Sequence, residues 1–162
     1  MNYSSPMGEI LITCDSLGLT GLWFSDQKYF PENIGQTHRK ANHLHIQYAA
    51  HWLDIYFSGR EPHFAPSLHI STTAFRAEVI GKMLEIPYGK TISYGELAES
   101  LGRGRLSAQA VGGAVGHNPV SIIVPCHRVL GAGNRLTGYA GGIGRKLALL
   151  TLEGVDPSEI FV

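Results

Sequence analysis

The sequence predicts an α+β protein of two lobes, strands and a helix first, then a helical lobe holding a helix-turn-helix. Three observations predict it. Apolar runs rich in strand formers stand near the N-terminus, and apolar residues recur at helical spacing from Ile46 onward. Twelve of the 20 glycines fall after residue 100, so the second half is built for tight turns and close contacts.

Bulk properties bound the answer. A chain of 162 residues holds one compact unit or two small lobes, and 44% hydrophobic with 16% charged residues excludes disorder. No apolar run approaches the roughly 20 residues of a membrane span. Met1–Thr13 lacks the basic and apolar regions of a secretory signal, and Cys14 and Cys126 are too few for a disulfide framework. The expected setting is the reducing cytoplasm, where a free thiol survives.

The first lobe begins with strands over Glu9–Cys14 and Leu19–Ser25, joined by the turn-like Asp15-Ser16-Leu17-Gly18. Pro31–Leu44 is polar and reads as a surface loop. Ile46, Ala49, Ala50, Leu53 and Phe57 mark a helix that Gly59 can end. Arg60–Thr72, with Pro62 and Pro66, reads as a linker, giving expected domains of 1–69 and 70–162.

In the second lobe, Phe75, Val79 and Met83, flanked by Ile80 and Leu84, predict a helix stopping before Pro87-Tyr88-Gly89. Ser93 and Glu96 form an S-x-x-E capping box, so the next helix runs from Tyr94 to about Leu101. After a break at Gly102–Arg105, Ser107 is expected to cap a third helix through Ala108–Gly116. Helix, tight turn, helix is the shape of a helix-turn-helix reader. Ala108, Ala110, Gly112, Gly113, Ala114 and Gly116 give that third helix a bare face. Each glycine costs about 1 kcal/mol of helix stability relative to alanine, so the face serves close approach, of another surface or of the core. Ile122-Ile123-Val124 reads as a short buried strand leading to Pro125-Cys126-His127-Arg128-Val129. A turn at Gly131–Asn134 and a loop at Gly138–Gly142 precede a helix with Leu147, Leu149, Leu150 and Leu152 that ends at Glu153-Gly154.

Formal net charge is zero, but its distribution is uneven. Met1–Ile70 carries four basic against six acidic residues, whereas Lys90–Leu150 carries seven basic against Glu96 and Glu99. The excess suits a phosphate-facing surface, and equally a solvated charged face.

Cys126 is the best nucleophile in the chain. Its thiol would be mostly protonated at neutral pH unless neighbours such as His127 and Arg128 favour the anion. The pair alone leaves a buried structural cysteine as an open alternative. Glu153 bears on the choice: a carboxylate in the last turn of a helix opposes the dipole, so it is expected to meet a partner, and an imidazole is a natural one.

The string Pro125-Cys126-His127-Arg128-Val129 resembles the signature of the 6-O-alkylguanine-DNA alkyltransferases, also called methylated-DNA–protein-cysteine methyltransferases. Ile86-Pro87-Tyr88-Gly89, Ser93-Tyr94-Gly95, Ala110-Val111-Gly112-Gly113-Ala114, Asn118-Pro119, Gly138-Tyr139-Ala140-Gly141-Gly142, Lys146 and Leu149-Leu150 with Glu153-Gly154 follow in the family's order. The first lobe is only loosely similar to the family's ribonuclease-H-like domain. The resemblance implies such an α/β lobe followed by a helical lobe with a winged-helix-like helix-turn-helix.

It also implies a single-use DNA repair enzyme. A methyl or other alkyl group would pass from the 6-oxygen of guanine, or the 4-oxygen of thymine, in double-stranded DNA to Cys126, after the nucleotide is flipped out. Glu153 and His127, with a water, would take the thiol proton. Tyr94 would help rotate the nucleotide and protonate the leaving guanine. Asn118 corresponds to the family's hinge residue, while Cys126, Val129 and Ala140 would meet the guanine edge through their backbone. Gln109, Arg105, Arg128, Tyr139 and Lys146 complete the expected DNA- and substrate-binding set. The protein is expected to act as a monomer without membrane or cofactor.

Two features depart from the family. Gln109 stands where relatives often carry an arginine that fills the vacated stack. Histidines 38, 43, 45, 51, 63 and 69, with Cys14, match no standard metal spacing, so no metal is expected. Three rivals differ in what they need. A non-catalytic lesion binder would lack the acceptor Cys126. A cysteine hydrolase leaves the bare helix unexplained, and a methyl-sensing regulator needs a further domain.

Overall fold

The computed structural model describes residues 1–34 and 43–162; most of the expected Pro31–Leu44 loop, with His38, lies outside the described residues. The chain divides into two compact units, Met1–Ser71 with Pro119–Ser121, and Thr72–Asn118 with Ile122–Val162.

The first unit holds an antiparallel sheet, β1 (Asn2–Ser5), β2 (Gly8–Cys14) and β3 (Leu19–Phe24), in that spatial order. Asp15 Oδ1 accepts from the backbone N–H groups of Leu17 and Gly18 at 2.8 and 3.2 Å, which shapes the β2–β3 turn. β1 escapes an apolar-pattern reading because Asn-Tyr-Ser-Ser is a polar edge; pairing with β2, not burial, makes it a strand. β3's other edge takes two short parallel bridges, to Leu68 and to Val120. Helix α1 (Leu44–Phe57) lies on β2 and buries Ile46, Ala49, Leu53 and Tyr56. Gly59, at φ 81°, returns its N–H to the Tyr56 carbonyl and ends the helical path.

The second unit is mostly helical. Helix α2 (Ala74–Leu84) is capped by the Thr73 hydroxyl and packs with α3 (Tyr94–Ser100) and α4 (Ala108–Gly116). Both halves of the predicted capping box form: Glu96 N–H to Ser93 Oγ at 3.0 Å, and Ser93 N–H to Glu96 Oε2 at 2.8 Å. Two two-residue strands, β4 (Ile92–Ser93) just before α3 and β5 (Val129–Leu130) after α4, pair in parallel, and the C-terminal helix α5 (Ile143–Leu152) follows. Leu130, Leu136, Leu150 and Ile160 form a buried cluster with Leu147 and Val155 against it.

Two expectations are corrected. Ser107 does not cap α4: a 3-10 turn, Arg105–Ser107, leads into the helix, and the Ser107 hydroxyl donates to the Arg103 carbonyl at 2.9 Å. Ile122–Val124 is a turn, not a strand. An apolar run without alternation does not distinguish the two, and here extended pairing falls earlier, at Val120. Ile122 adopts φ 70°, a conformation β-branched residues rarely take, while fully buried.

The capping box makes a stability prediction. Ser93→Ala leaves the Glu96 N–H without its side-chain acceptor and should cost about 1 kcal/mol in urea unfolding; a change within error would remove the cap from the forces holding α3.

Candidate active site

The site grows from the two ends of the second unit's core. α5 ends in a Schellman turn: Val155 N–H returns to the Leu150 carbonyl and Gly154 N–H to Thr151, both at 3.0 Å, with Gly154 at φ 88°. That turn fixes Glu153 at the C-cap, its carboxylate turned inward. Opposite it, Cys126–Arg128 form one 3-10 turn after Pro125, and all three side chains are buried.

Glu153 gathers the neighbourhood. Oε1 lies 2.6 Å from His127 Nε2 and accepts from Arg128 Nη2 at 3.0 Å; Oε2 accepts from Arg128 Nε at 2.9 Å and from the Gly89 N–H at 3.0 Å. Arg128 Nη1 donates to the Ile86 carbonyl at 2.8 Å. Gly89 is required there. Its φ is 72°, and a Cβ would stand 2.9 Å from the Glu153 carbonyl oxygen. The Pro87-Tyr88-Gly89 turn, closed by Lys90 N–H to the Pro87 carbonyl at 3.1 Å, thus brings a backbone donor to the carboxylate.

Burial would raise the Glu153 carboxyl, but hydrogen bonds and charge from His127 and Arg128 outweigh it and hold the group at about 2, from an ordinary 4.5. Burial also lowers His127's affinity for a proton against the pull of Glu153, so the resting imidazole is neutral. Nε2 is the ring nitrogen that the carboxylate holds.

Cys126 is 6% exposed. Burial raises its thiol above the ordinary value; Asn118, Lys146 and the Tyr139 hydroxyl act in the opposite direction. The resting sulfur is therefore a thiol surrounded by groups that favour the anion. Lys146 is fully buried, donates to the carbonyls of Thr137 and Gly138 at 2.8 and 3.3 Å, and lies 5.7 Å from the Tyr94 ring centre. Burial lowers it to about 8, against the opposing influence of Cys126. Tyr94, at the start of α3, is raised by burial while a hydrogen bond from Thr137 acts the other way, so its phenol stays protonated. Asn118 Nδ2 donates to the Val124 carbonyl at 2.8 Å, bracing the turn before Cys126.

Several expected DNA contacts sit differently. Arg128 and Lys146 point inward, onto Glu153 and onto backbone carbonyls. Arg105 pairs with Glu99 at 2.7 Å and Arg103 with Glu78 at 3.2 Å. Of the seven basic residues counted along the sequence, Arg128 and Lys146 are therefore turned into the fold, and Arg103 and Arg105 form exposed pairs with acids. The Cys126 N–H is used by the Val124 carbonyl and the Val129 N–H by that of Cys126. Ala140 is half-buried in the loop before α5, beside Tyr139. Gln109 is exposed on α4, with Ala110 and Gly113, while Val111, Ala114 and Val115 are buried. A Cβ built at Gly113 or Gly116 meets nothing within 4 Å, so that part of the bare face is open; one built at Gly112 would stand 3.6 Å from the Tyr94 ring. The backbone partners Gly89, Ile86, Thr137 and Gly138 carry no side-chain signal that sequence reading could use. Among the described residues no His, Cys, Asp and Glu group is arranged to hold a metal, and no helix is long and apolar enough to cross a membrane.

Comparison with known proteins agrees with this geometry. Residues 2–70 match the family described as 6-O-methylguanine DNA methyltransferase, ribonuclease-like domain, and residues 74–155 match its DNA binding domain. The chain is 44% identical over 149 residues to a methylated-DNA–protein-cysteine methyltransferase of Mycobacterium leprae, covering 92% of this chain and 88% of that protein. It is 40% identical over 155 residues to one from Methanosarcina acetivorans, covering 94% and 96%. A crystal structure of Mycobacterium tuberculosis OGT in complex with DNA superposes with a TM-score of 0.85 at 42% identity, covering 98% of this chain and 93% of that one.

The depressed carboxyl makes stability depend on pH. Because the folded value lies below the unfolded one, Glu153 contributes stability above about pH 4.5 that is lost as pH falls toward 2, about 3 kcal/mol in all. Urea unfolding across that window should show the decline, and Glu153→Gln should remove this part of it while costing about 3 kcal/mol at pH 7 by stranding Arg128. An unchanged pH profile in the variant would show that other groups carry the dependence.

Proposed function

The chain belongs to the 6-O-methylguanine DNA methyltransferase family, a family of DNA repair alkyltransferases, and on that premise we propose that it transfers an alkyl group from the 6-oxygen of guanine in duplex DNA to Cys126. The observation that carries this reading is the buried Glu153–His127 pair, whose histidine shares a buried 3-10 turn with Cys126. A carboxylate held by Arg128 and Gly89 orients the imidazole, and Asn118, Lys146 and Tyr139 around the neighbouring thiol favour its anion.

Residues 70–162 hold the chemistry, and 1–69 form the ribonuclease-H-like domain. α4 enters the minor groove with its open small-residue face, and Gln109 stands at the vacated position in the stack. The damaged nucleotide rotates out, at a cost of a few kcal/mol. Carbonyls of Cys126 and Val129, with Ala140 and Tyr139, meet its edge, and Asn118 links α4 to the reactive turn. His127 draws the thiol proton through a water, while Glu153 stabilises the imidazolium. Lys146 favours the developing thiolate. The sulfur attacks the alkyl carbon in line; the S–C bond forms as C–O breaks, and the guanine oxygen keeps the electron pair. Tyr94 protonates the leaving base and is reprotonated from His127. A thioether does not leave, so each molecule acts once. The same chemistry extends to the 4-oxygen of thymine. The protein acts as a monomer in the cytoplasm, a reading supported by two free thiols and no helix of membrane-spanning length among the described residues.

Incubation with duplex DNA containing O6-methylguanine, followed by mass spectrometry of the protein's peptides, should show one added methyl, on Cys126, with equal loss of lesion. Methyl transfer that persists in Cys126→Ala, or repeated turnover, would overturn the assignment.

A further inference from the structure

Leu106 is the feature of the second unit that the proposed chemistry leaves unused. Its side chain is fully exposed, at the middle of the 3-10 turn that leads into α4. The turn and the helix form one helical path, so Leu106 shares a face with Gln109, Ala110, Gly113 and Gly116, three to four residues apart. Leu106, Gln109, Ala110 and Gly113 are all exposed, whereas Val111, Ala114 and Val115 turn into the core. Along this open face only Leu106 and Gln109 project beyond a Cβ.

A leucine there cannot bind phosphate. The neighbouring Arg105 and Arg103 make exposed ion pairs with Glu99 and Glu78. What an apolar side chain can gain from duplex DNA is removal from water between base faces, where leucine wedges open a step and kink the helix from the minor groove.

We propose that Leu106 is a positioning residue: an apolar wedge that inserts at the base step beside the lesion and props the stack open while Gln109 meets the orphaned base. This rests on the reading of α4 as the minor-groove element. It assigns the opening of the stack to a neutral pair, one apolar and one amide, in a chain without an arginine at position 109.

The test compares Leu106→Ala and Leu106→Met with wild type on two substrates: a duplex carrying O6-methylguanine next to 2-aminopurine, and a single strand of the same sequence. Wild type should raise 2-aminopurine fluorescence on binding the duplex. Leu106→Ala should lose most of that rise and transfer the methyl group about tenfold more slowly from duplex. Its single-strand rate and thermal midpoint should match wild type, and Leu106→Met should restore both duplex signals. An unchanged duplex rate, or an equal loss on both substrates, overturns the wedge while leaving the alkyltransferase reading intact. Failure of wild type to accept the methyl group from either substrate overturns that reading, and the wedge with it.

Discussion

One buried carboxylate organises the second unit. Glu153 stands at the C-terminus of α5, where the helix dipole disfavours it, and is kept ionised by His127, Arg128 and the Gly89 N–H. Those three donors come from the reactive turn and from the loop after α2, so α5, the Cys126 turn and the Pro87–Gly89 turn meet at one anion. The arrangement depends on full satisfaction. A buried ion pair adds little net stability when complete but is costly when one partner is removed. Gly89 and Gly154 are the backbone conditions for it, one by close approach and positive φ, the other by ending α5 at the right residue.

The same burial that sustains the ion cluster sets the state of the nucleophile. Removed from water, Cys126 holds its proton, and His127 is neutral. A buried neutral thiol resists adventitious oxidation. Lys146, lowered by its own burial to about 8, stays largely cationic at neutral pH, and a charge on sulfur would reinforce that form. Its charge opposes the burial that keeps the Cys126 proton in place.

Charge and shape are divided between the inside and the outside of the second unit. Arg103 and Arg105 make exposed ion pairs with acids, and Arg128 and Lys146 serve the interior. What α4 and the turn before it offer outward is small residues, with Gln109 and Leu106 projecting. Under the proposed docking of α4 in the minor groove, that surface would respond to how readily a base step opens.

Much of this was legible in the chain itself. Periodicity and caps placed α1, α2, α3 and α5, and the Ser93–Glu96 box was readable because its partners lie three residues apart. The expectation that Glu153 meets an imidazole was legible because its oddness is local, a carboxylate at the wrong end of a helix, and the structure pairs it with His127 and Arg128 of the turn at Cys126. Tertiary structure decided everything that depends on who sits opposite. Arg128 and Lys146 read as surface charge but are buried, since a charge count carries no direction. Ser107 turned its hydroxyl to a local competitor, the Arg103 carbonyl, while Ile122–Val124 became a buried turn because an apolar run does not by itself specify a strand. The donors that hold Glu153 in place include the Gly89 backbone N–H, 64 residues away along the chain, and peptide groups are the same in every sequence.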